Sequence, residues 1–182
     1  MPPPRARWIQ ILLLQGEGQQ RYNKPVVGRT RLIKELFLLK KGYGLKQIEY
    51  EFIPYWYGPF SPEIYADLAE LKDDRILESR DSVGGEVLSL TPAGVASAQV
   101  LERSVDADLI MKIRDCKERF NSKPFDELVA YVYERWPEYT SRSLQSPFSV
   151  LKELKSQAGK ARITDADVDA AVASYRARTS TQ

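Results

Sequence analysis

Apolar residues recur with helical spacing in two segments near the start of the chain. Spacings of three and four residues predict amphipathic helices over residues 5–15 and 28–41. Lys40 and Lys41 lie in the last turn of the second helix, where the helix dipole favours cations, and Gly42 ends it. Residues 16–27 contain two glycines and a proline and predict a loop. The apolar positions are Trp8, Ile11, Leu12 and Leu14, then Leu32, Ile33, Leu36 and Phe37.

An aromatic block follows, written FIPYWYGPF, with five aromatic residues over residues 52–60. β-Branched and aromatic residues over residues 48–56 predict an extended segment, and the Gly-Pro pair ends it. Ser61 and Pro62 are residue types preferred at the N-cap and the first position of a helix. The aromatic side chains are predicted to pack around the start of this third helix rather than to form a ligand platform.

The next segment predicts a β-hairpin. Residues 76–80 and 86–90 have the composition of short strands, and the Ser-Val-Gly-Gly stretch between them supplies a turn. Thr91 and Pro92 begin another helix. The order helix, helix, helix, hairpin is that of a winged-helix domain. The predicted fold class is therefore mainly α with a small β-hairpin: a winged-helix-like domain over residues 1–104, with its wing at about 76–90, followed by a C-terminal helical extension.

Residues 105–182 predict this helical extension. Two apolar stripes have helical spacing, and Ser146-Pro147 and Thr164 with Asp167 have the residue types of helix starts. Two roles stay open: the extension packs on the first domain, or it mediates a homodimer through the first stripe. The stripes are Val105, Leu109, Ile113, Cys116 and Phe120, and then Phe125, Leu128, Val129, Val132, Tyr133 and Trp136.

The composition narrows the function classes. The 182 residues include no histidine and one cysteine, which excludes Ser-His-Asp and Cys-His catalytic arrangements and an intrachain disulfide. Cys116 is interpreted as a small buried apolar residue. No constellation of catalytic residues stands out, so we predict neither an enzyme nor a metal or cofactor site. No apolar stretch approaches the ~20 residues of a membrane span, and we expect a cytoplasmic protein without membrane contact.

Charge is distributed unevenly along the chain. Residues 1–46 hold ten basic and two acidic residues, a net charge of +8, whereas residues 47–182 carry −6. The third helix and its exit, residues 61–78, hold two basic and six acidic residues. The phosphates that flank the major groove would repel such a helix, which disfavours the usual helix-turn-helix docking on DNA. Three alternative partners therefore stay open for the basic segment: nucleic acid in another pose, an acidic protein, or the acidic half of this same chain.

Several segments of the chain resemble known proteins: GRTRLIKELFLLKK, YEFIPYWYGPFSPEIYADLAEL, and the pair ILES and LSLTPAG. Together they are similar to the YwgA-like proteins and, more distantly, to the Panacea (SocA-type) antitoxin family, over roughly residues 5–103. The most specific block is YGPFSPEIY. The resemblance implies a non-enzymatic winged-helix-like fold. For relatives of Panacea it also implies neutralisation of a toxin, or an adaptor role, through protein contacts, and it supplies no catalytic residues.

Two functional hypotheses follow. The first is a non-catalytic regulator that binds a partner protein, such as a toxin or another product of a neighbouring gene. Its candidate contact residues are Tyr55, Tyr57, Phe60, Glu63 and Asp67. The second is a DNA- or nucleic-acid-binding transcriptional regulator that uses the basic N-terminal helices and the wing. Its candidate phosphate contacts are Arg29, Arg31, Lys34, Lys41 and Arg80.

Overall fold

The computed structural model describes residues 4–141, so the predicted helix starts at Ser146 and Thr164 lie outside the described residues. The helices and short strands of this range lie between two 3₁₀ turns, Pro4–Ala6 and Pro137–Thr140. The helices are α1 (Arg7–Leu14), α2 (Arg29–Lys41), α3 (Pro62–Asp73), α4 (Pro92–Arg103), α5 (Ala107–Phe120) and α6 (Phe125–Arg135). The strands are β1 (Gln15–Glu17), β2 (Gln20–Tyr22), β3 (Val26–Val27), β4 (Ile53–Tyr55), β5 (Gly58–Phe60), β6 (Leu77–Ser82) and β7 (Gly85–Leu90).

The prediction of a mainly α fold with a small amount of β structure is confirmed. The helix starts differ in how they are capped. Pro62 occupies the first turn of α3, but the hydroxyl of Ser61 is buried and has no hydrogen-bond partner among the described residues. Thr91 does cap α4, because its hydroxyl accepts a hydrogen bond from the Gly94 N–H at 3.0 Å. In the described chain, none of the helices has the length and apolar character needed to cross a membrane.

The predicted hairpin is present and belongs to a larger sheet. β6 and β7 pair antiparallel, and β3 pairs antiparallel with the other side of β7, so the strand order is β3-β7-β6. The register runs from Leu77 opposite Leu90 to Ser82 opposite Gly85. The strands therefore extend further than predicted, and the loop between them shortens to Val83 and Gly84. β6 forms an edge of the sheet.

Two further hairpins differ from the sequence expectation. Residues 16–27, predicted to be a loop, contain β3 and most of the antiparallel pair β1–β2. Of residues 48–56, predicted to be extended, only Ile53–Tyr55 forms a strand. The Gly-Pro pair does not end the strand region but lies in β5, which pairs with β4. Gly58 has φ +93°, in the left-handed region that favours glycine.

Helix α2 lies at the centre of the core. All its residues from Thr30 to Leu39 are buried, and α1, α5 and α6 pack against it. Phe37 makes edge-to-face ring contacts that join distant parts of the chain. The rings are those of Phe52, Trp136 and Tyr139, with centroid distances of 5.3, 5.1 and 4.8 Å.

The described part of the helical extension packs on the preceding domain. Ile113, Cys116 and Phe120 of the first predicted stripe are buried in the same apolar core as α1 and α2. Burial of Cys116 agrees with the interpretation of this residue as apolar core. Because the chain itself covers this part of the stripe, the burial of these residues agrees with the first of the two roles left open, packing on the first domain.

Candidate functional site

Two of the predicted phosphate contacts lie in the interior. Arg31 and Lys34 are on α2, and only 9% and 2% of their surface is exposed. Arg31 Nη1 donates a hydrogen bond to the Phe120 carbonyl at 2.7 Å, and Lys34 Nζ donates to the Pro59 carbonyl at 2.8 Å. Burial lowers the pKa of both side chains, that of Lys34 to about 7. Neither charge reaches the surface, so the expectation that these residues contact phosphate is corrected.

Arg29, at the start of α2, is engaged in an ion pair. Its Nε and Nη2 donate to the carboxylate of Glu86 on β7 at 2.5 and 3.2 Å, and Lys72 of α3 donates to the same carboxylate at 2.6 Å. Burial alone would raise the pKa of Glu86, but the hydrogen bonds from Arg29 and Lys72 hold it at about 2. Lys41 and Arg80, by contrast, are exposed, so they remain candidate phosphate contacts.

The aromatic block packs inward, as its composition predicted. The rings of Tyr55 and Phe60 stack with centroids 4.6 Å apart, and Phe60 also contacts Tyr65 of α3 at 5.6 Å. Tyr55 and Phe60 are buried, while Tyr57 is partly exposed. The expectation that Tyr55 and Phe60 present a partner-binding surface is therefore corrected, and Tyr57 remains accessible at the edge of the cluster.

Asp67 of α3 is also an interior residue, with 1% of its surface exposed. Arg5 Nε and Nη2 donate to its two carboxylate oxygens at 2.9 and 3.0 Å, and the Tyr50 hydroxyl donates at 2.7 Å. Glu63, one turn earlier and partly exposed, lies 3.4 Å from the same guanidinium. Asp67 thus anchors the N-terminal segment to α3, and its predicted role as a partner contact is corrected.

These pairs account for part of the charge asymmetry in the sequence. Arg5 and Arg29 come from the basic first quarter of the chain, and their partners Asp67 and Glu86 come from the acidic remainder. The acidic half of this same chain is therefore one partner of the basic segment. The charges used in these pairs are not available to an external ligand at the same time.

A different set of α3 residues faces solvent. Ala66, Ala69, Glu70 and Asp73 are exposed, and their spacing of three or four residues places them on one side of the helix. We call them the acidic face of α3. Two small residues and two carboxylates form this face, and Lys72 points elsewhere, to Glu86 on β7. The arrangement suits close contact with a surface that carries positive charge.

A polar cavity of about 370 Å³ lies between the β1–β2 hairpin and α5, within the volume range of small-molecule sites. Its charged side chains are two arginines and two glutamates, so the lining selects neither an anion nor a cation. Arg114 is held in place because its Nε donates to Gln15 Oε1 at 2.6 Å and its Nη2 to Glu102 at 3.1 Å. The lining residues are Gly16, Glu17, Gly18, Arg21, Tyr22, Arg114 and Glu118.

Two fully buried ionisable groups were not singled out from the sequence: Glu35 of α2 and Lys117 of α5. Burial lowers the pKa of Lys117 to about 7 and raises that of Glu35 to about 8. Neither carboxyl oxygen of Glu35 has a hydrogen-bond partner within residues 4–141. The Lys117 ammonium donates to four carbonyl oxygens at 2.5 to 3.1 Å, those of Leu12, Leu13, Gln15 and Lys24.

Comparison with family models, with curated proteins and with solved structures finds no match for this chain. The resemblance to the YwgA-like and Panacea proteins therefore stays a prediction that rests on the quoted sequence segments.

Proposed function

We propose that this protein is a non-catalytic regulator with a winged-helix-like fold, which acts in the manner of an antitoxin or adaptor by binding a partner protein through the acidic face of α3. Apart from the two small hairpins β1–β2 and β4–β5, the element order is α1-β3-α2-α3-β6-β7. This order supports the winged-helix interpretation, because the β6–β7 hairpin follows the third helix directly and the short strand β3, which precedes α2, completes the sheet. In this proposal, α3 occupies the position that a recognition helix has in DNA-binding relatives of the fold.

The observation that carries the proposal is the sign of the exposed charge on α3. Glu70 and Asp73 are exposed, and duplex phosphates would repel them. A basic patch on a protein would be attracted to the same carboxylates. The small side chains of Ala66 and Ala69, on the same face, allow the backbone of a partner to approach closely. The partner is therefore a protein with a basic surface, and the first one to test is the product of a neighbouring gene.

The test combines crosslinking with reconstitution. A photo-crosslinking amino acid at Ala66 should capture the partner in cells, whereas the same group at Val100, an exposed position on α4, should not. With the purified partner, Glu70→Lys/Asp73→Lys should weaken binding about tenfold or more, since both carboxylates would become repulsive. Lys41→Glu/Arg103→Glu, a matched double reversal of exposed residues away from this face, should leave the affinity unchanged. Equal effects of the two double variants would contradict the proposal.

DNA binding is the second candidate function, and the exposure of Lys41 on α2 and Arg80 on β6 is what favours it. Binding of random-sequence duplex DNA across a salt series distinguishes the two functions. Micromolar affinity that falls steeply with salt and is lost in Lys41→Glu/Arg80→Glu would support a phosphate-contacting surface. Absence of binding at low salt would remove this candidate and leave the protein partner.

A further inference from the structure

Strand β6 is an edge strand whose outer side is exposed. It pairs with β7 on one side, and all its residues from Glu78 to Ser82 are exposed. Five of its six residues are thus exposed within the described part of the chain. The N–H and C=O groups along such an edge can pair with another chain. The exposed side chains carry both signs of charge: Glu78 and Asp81 are acidic, and Arg80 is basic.

The register determines which backbone groups of β6 point outward. Ser82 and Gly85 flank a two-residue loop, so they exchange hydrogen bonds with each other. The bonded pairs alternate along an antiparallel ladder, and the Thr91 N–H bond to the Ile76 carbonyl at 3.0 Å continues that alternation. Even-numbered residues of β6 therefore bond to β7, whereas the N–H and C=O groups of the odd-numbered residues lie on the outer side of the strand. Of these odd-numbered residues, Ser79 and Asp81 are exposed, but only 2% of the surface of Leu77 is.

We propose that this edge pairs with the same edge of a second copy of the chain, antiparallel and with Ser79 opposite Ser79 of the partner. In this register, Ser79 exchanges two hydrogen bonds with its symmetry mate. The pairing uses the exposed residues of β6 from Glu78 onward, because Leu77 is buried. Glu78 then lies opposite Arg80 of the other copy, twice per dimer. These positions are non-hydrogen-bonded pairs, in which opposing side chains come closest.

Charge selects this register among those that use the outward-pointing groups. A shift that centres the pairing on Arg80 would place Arg80 opposite its own copy, and centring on Glu78 or Asp81 would oppose two carboxylates. Like charges directly opposite each other destabilise a strand pair, whereas opposite charges stabilise it. Of these registers, the one centred on Ser79 places Glu78 opposite Arg80, while the third charged residue, Asp81, lies opposite Leu77 and no like charges face each other. This self-complementarity is what identifies the occupant as a second copy.

This inference does not rest on the proposed function, because the acidic face of α3 and the outer edge of β6 consist of different residues. It also differs from the homodimer predicted from the sequence, which used an apolar stripe on α5. Three residues of that stripe, Ile113, Cys116 and Phe120, are buried in the apolar core of the chain. The β6 edge, in contrast, is exposed from Glu78 to Ser82 within residues 4–141.

Charge reversal tests the register directly. The full chain should show a concentration-dependent monomer–dimer equilibrium in analytical ultracentrifugation. Glu78→Arg and Arg80→Glu should each weaken dimerisation about tenfold, because each single variant turns two attractive pairs into repulsive ones. The double variant Glu78→Arg/Arg80→Glu restores opposite charges across the axis and should recover the wild-type dimer. A wild-type chain that stays monomeric at all concentrations, or a double variant as weak as the singles, would overturn the proposal.

A backbone variant provides a second test that does not depend on charge. Ser79→Pro removes an N–H that points away from β7, so the β6–β7 ladder keeps its hydrogen bonds. We expect this variant to remain folded by circular dichroism and to lose the dimer, while the control Ser79→Ala, which keeps the N–H, dimerises as the wild type does. A folded Ser79→Pro variant with an unchanged dimer would show that pairing does not use this edge.

Discussion

Asp67 on α3 and Glu35 on α2 are carboxyl groups buried in the same core, yet their surroundings are opposite. Asp67 accepts hydrogen bonds from the Arg5 guanidinium and from the Tyr50 hydroxyl. Glu35 has no hydrogen-bond partner on either oxygen within residues 4–141. Lys117 and Arg31 attract the Glu35 carboxylate electrostatically. They do not donate hydrogen bonds to it, because they donate to backbone carbonyls instead.

The difference shows that burial alone does not decide the state of a carboxyl group. A buried carboxylate is stable when donors with fixed geometry replace its lost water, and otherwise the neutral acid is favoured. Burial raises the pKa of Glu35 to about 8, and the attraction of Lys117 and Arg31 offsets only part of the shift. Both oxygens of Asp67 have donors of fixed geometry, whereas burial favours the neutral form of Glu35.

The largest effect on the free energy of unfolding is expected from removing the Arg5 donors of Asp67, so that this carboxyl group, like Glu35, has no ion pair. Arg5→Met keeps most of the apolar side-chain volume but removes both guanidinium donors, which leaves a buried carboxylate with Tyr50 alone. We expect the free energy of unfolding, measured by urea denaturation at neutral pH, to fall by about 3–5 kcal/mol. The control is Glu63→Gln, which removes only the partly exposed partner of Arg5 and should cost less than about 1 kcal/mol. Equal costs for the two variants would contradict the assignment of Asp67 as the main partner of Arg5.

The second prediction concerns the pH dependence that Glu35 imposes. The folded pKa of about 8 lies above the ordinary value of 4.5, so the folded state binds more protons between these values. The stabilisation of the folded state by protonated Glu35 is fully present below pH 4.5 and is lost as the pH rises through about 8. Glu35→Gln should remove this loss, which for one group is at most about 1.4 kcal/mol per pH unit.

The measurement is the difference in unfolding free energy between Glu35→Gln and the wild type at several pH values from 5 to 8. The lowered pKa of Lys34 affects both proteins and cancels in this difference. The difference therefore reports Glu35 together with Lys117, whose pKa the charge of Glu35 raises. Glu70→Gln, which changes an exposed carboxylate on α3, is the matched control and should give a difference that is nearly constant with pH. A constant difference for Glu35→Gln as well would show that Glu35 is not the group that titrates.

The smallest effect is expected from removing one donor of Asp67 while keeping its ion pair. Tyr50→Phe deletes the hydroxyl that donates at 2.7 Å and keeps the buried ring. A hydrogen bond to a charged acceptor contributes about 2 kcal/mol, so urea denaturation should show a loss of this size, well below that of Arg5→Met. The double variant should cost less than the sum of the single variants, since both act on the same carboxylate. Additive costs would indicate that Tyr50 and Arg5 act independently.

The helices and the main hairpin could be predicted from the sequence because their apolar spacing and capping residues are local signals. The burial of Arg31, Lys34 and Glu35 could not be read from a count of charges, since such a count treats every charged residue as exposed. A signal was present nonetheless: residues 32, 33 and 36–39 are apolar and surround α2 on all sides. A helix that is apolar all round is buried, so the charged residues between them must be buried as well.

The β1–β2 hairpin was missed for a related reason. Its strands are three residues long, and β2 is fully exposed, so neither alternation nor apolar content distinguishes them from a loop. The tightness of the turn appears only in three dimensions, where a Cβ at Gly16 would lie 1.8 Å from the Gln20 carbonyl oxygen. The candidate interaction face of α3 was also only partly predictable. The sequence shows that this helix is acidic. Which of its carboxylates form contacts within the chain depends on the positions of Arg5 and Tyr50 in the fold.

Lys117 has a consequence for how the chain folds while it is being made. Its ammonium joins α5 to carbonyl groups 93 to 105 residues earlier in the chain. The carbonyls at the end of α1 therefore lack this partner until α5 has been synthesised, and contacts of such long sequence separation form late. The N-terminal helices can begin to form as they leave the ribosome, but the core around α1 closes only after residue 117 has emerged.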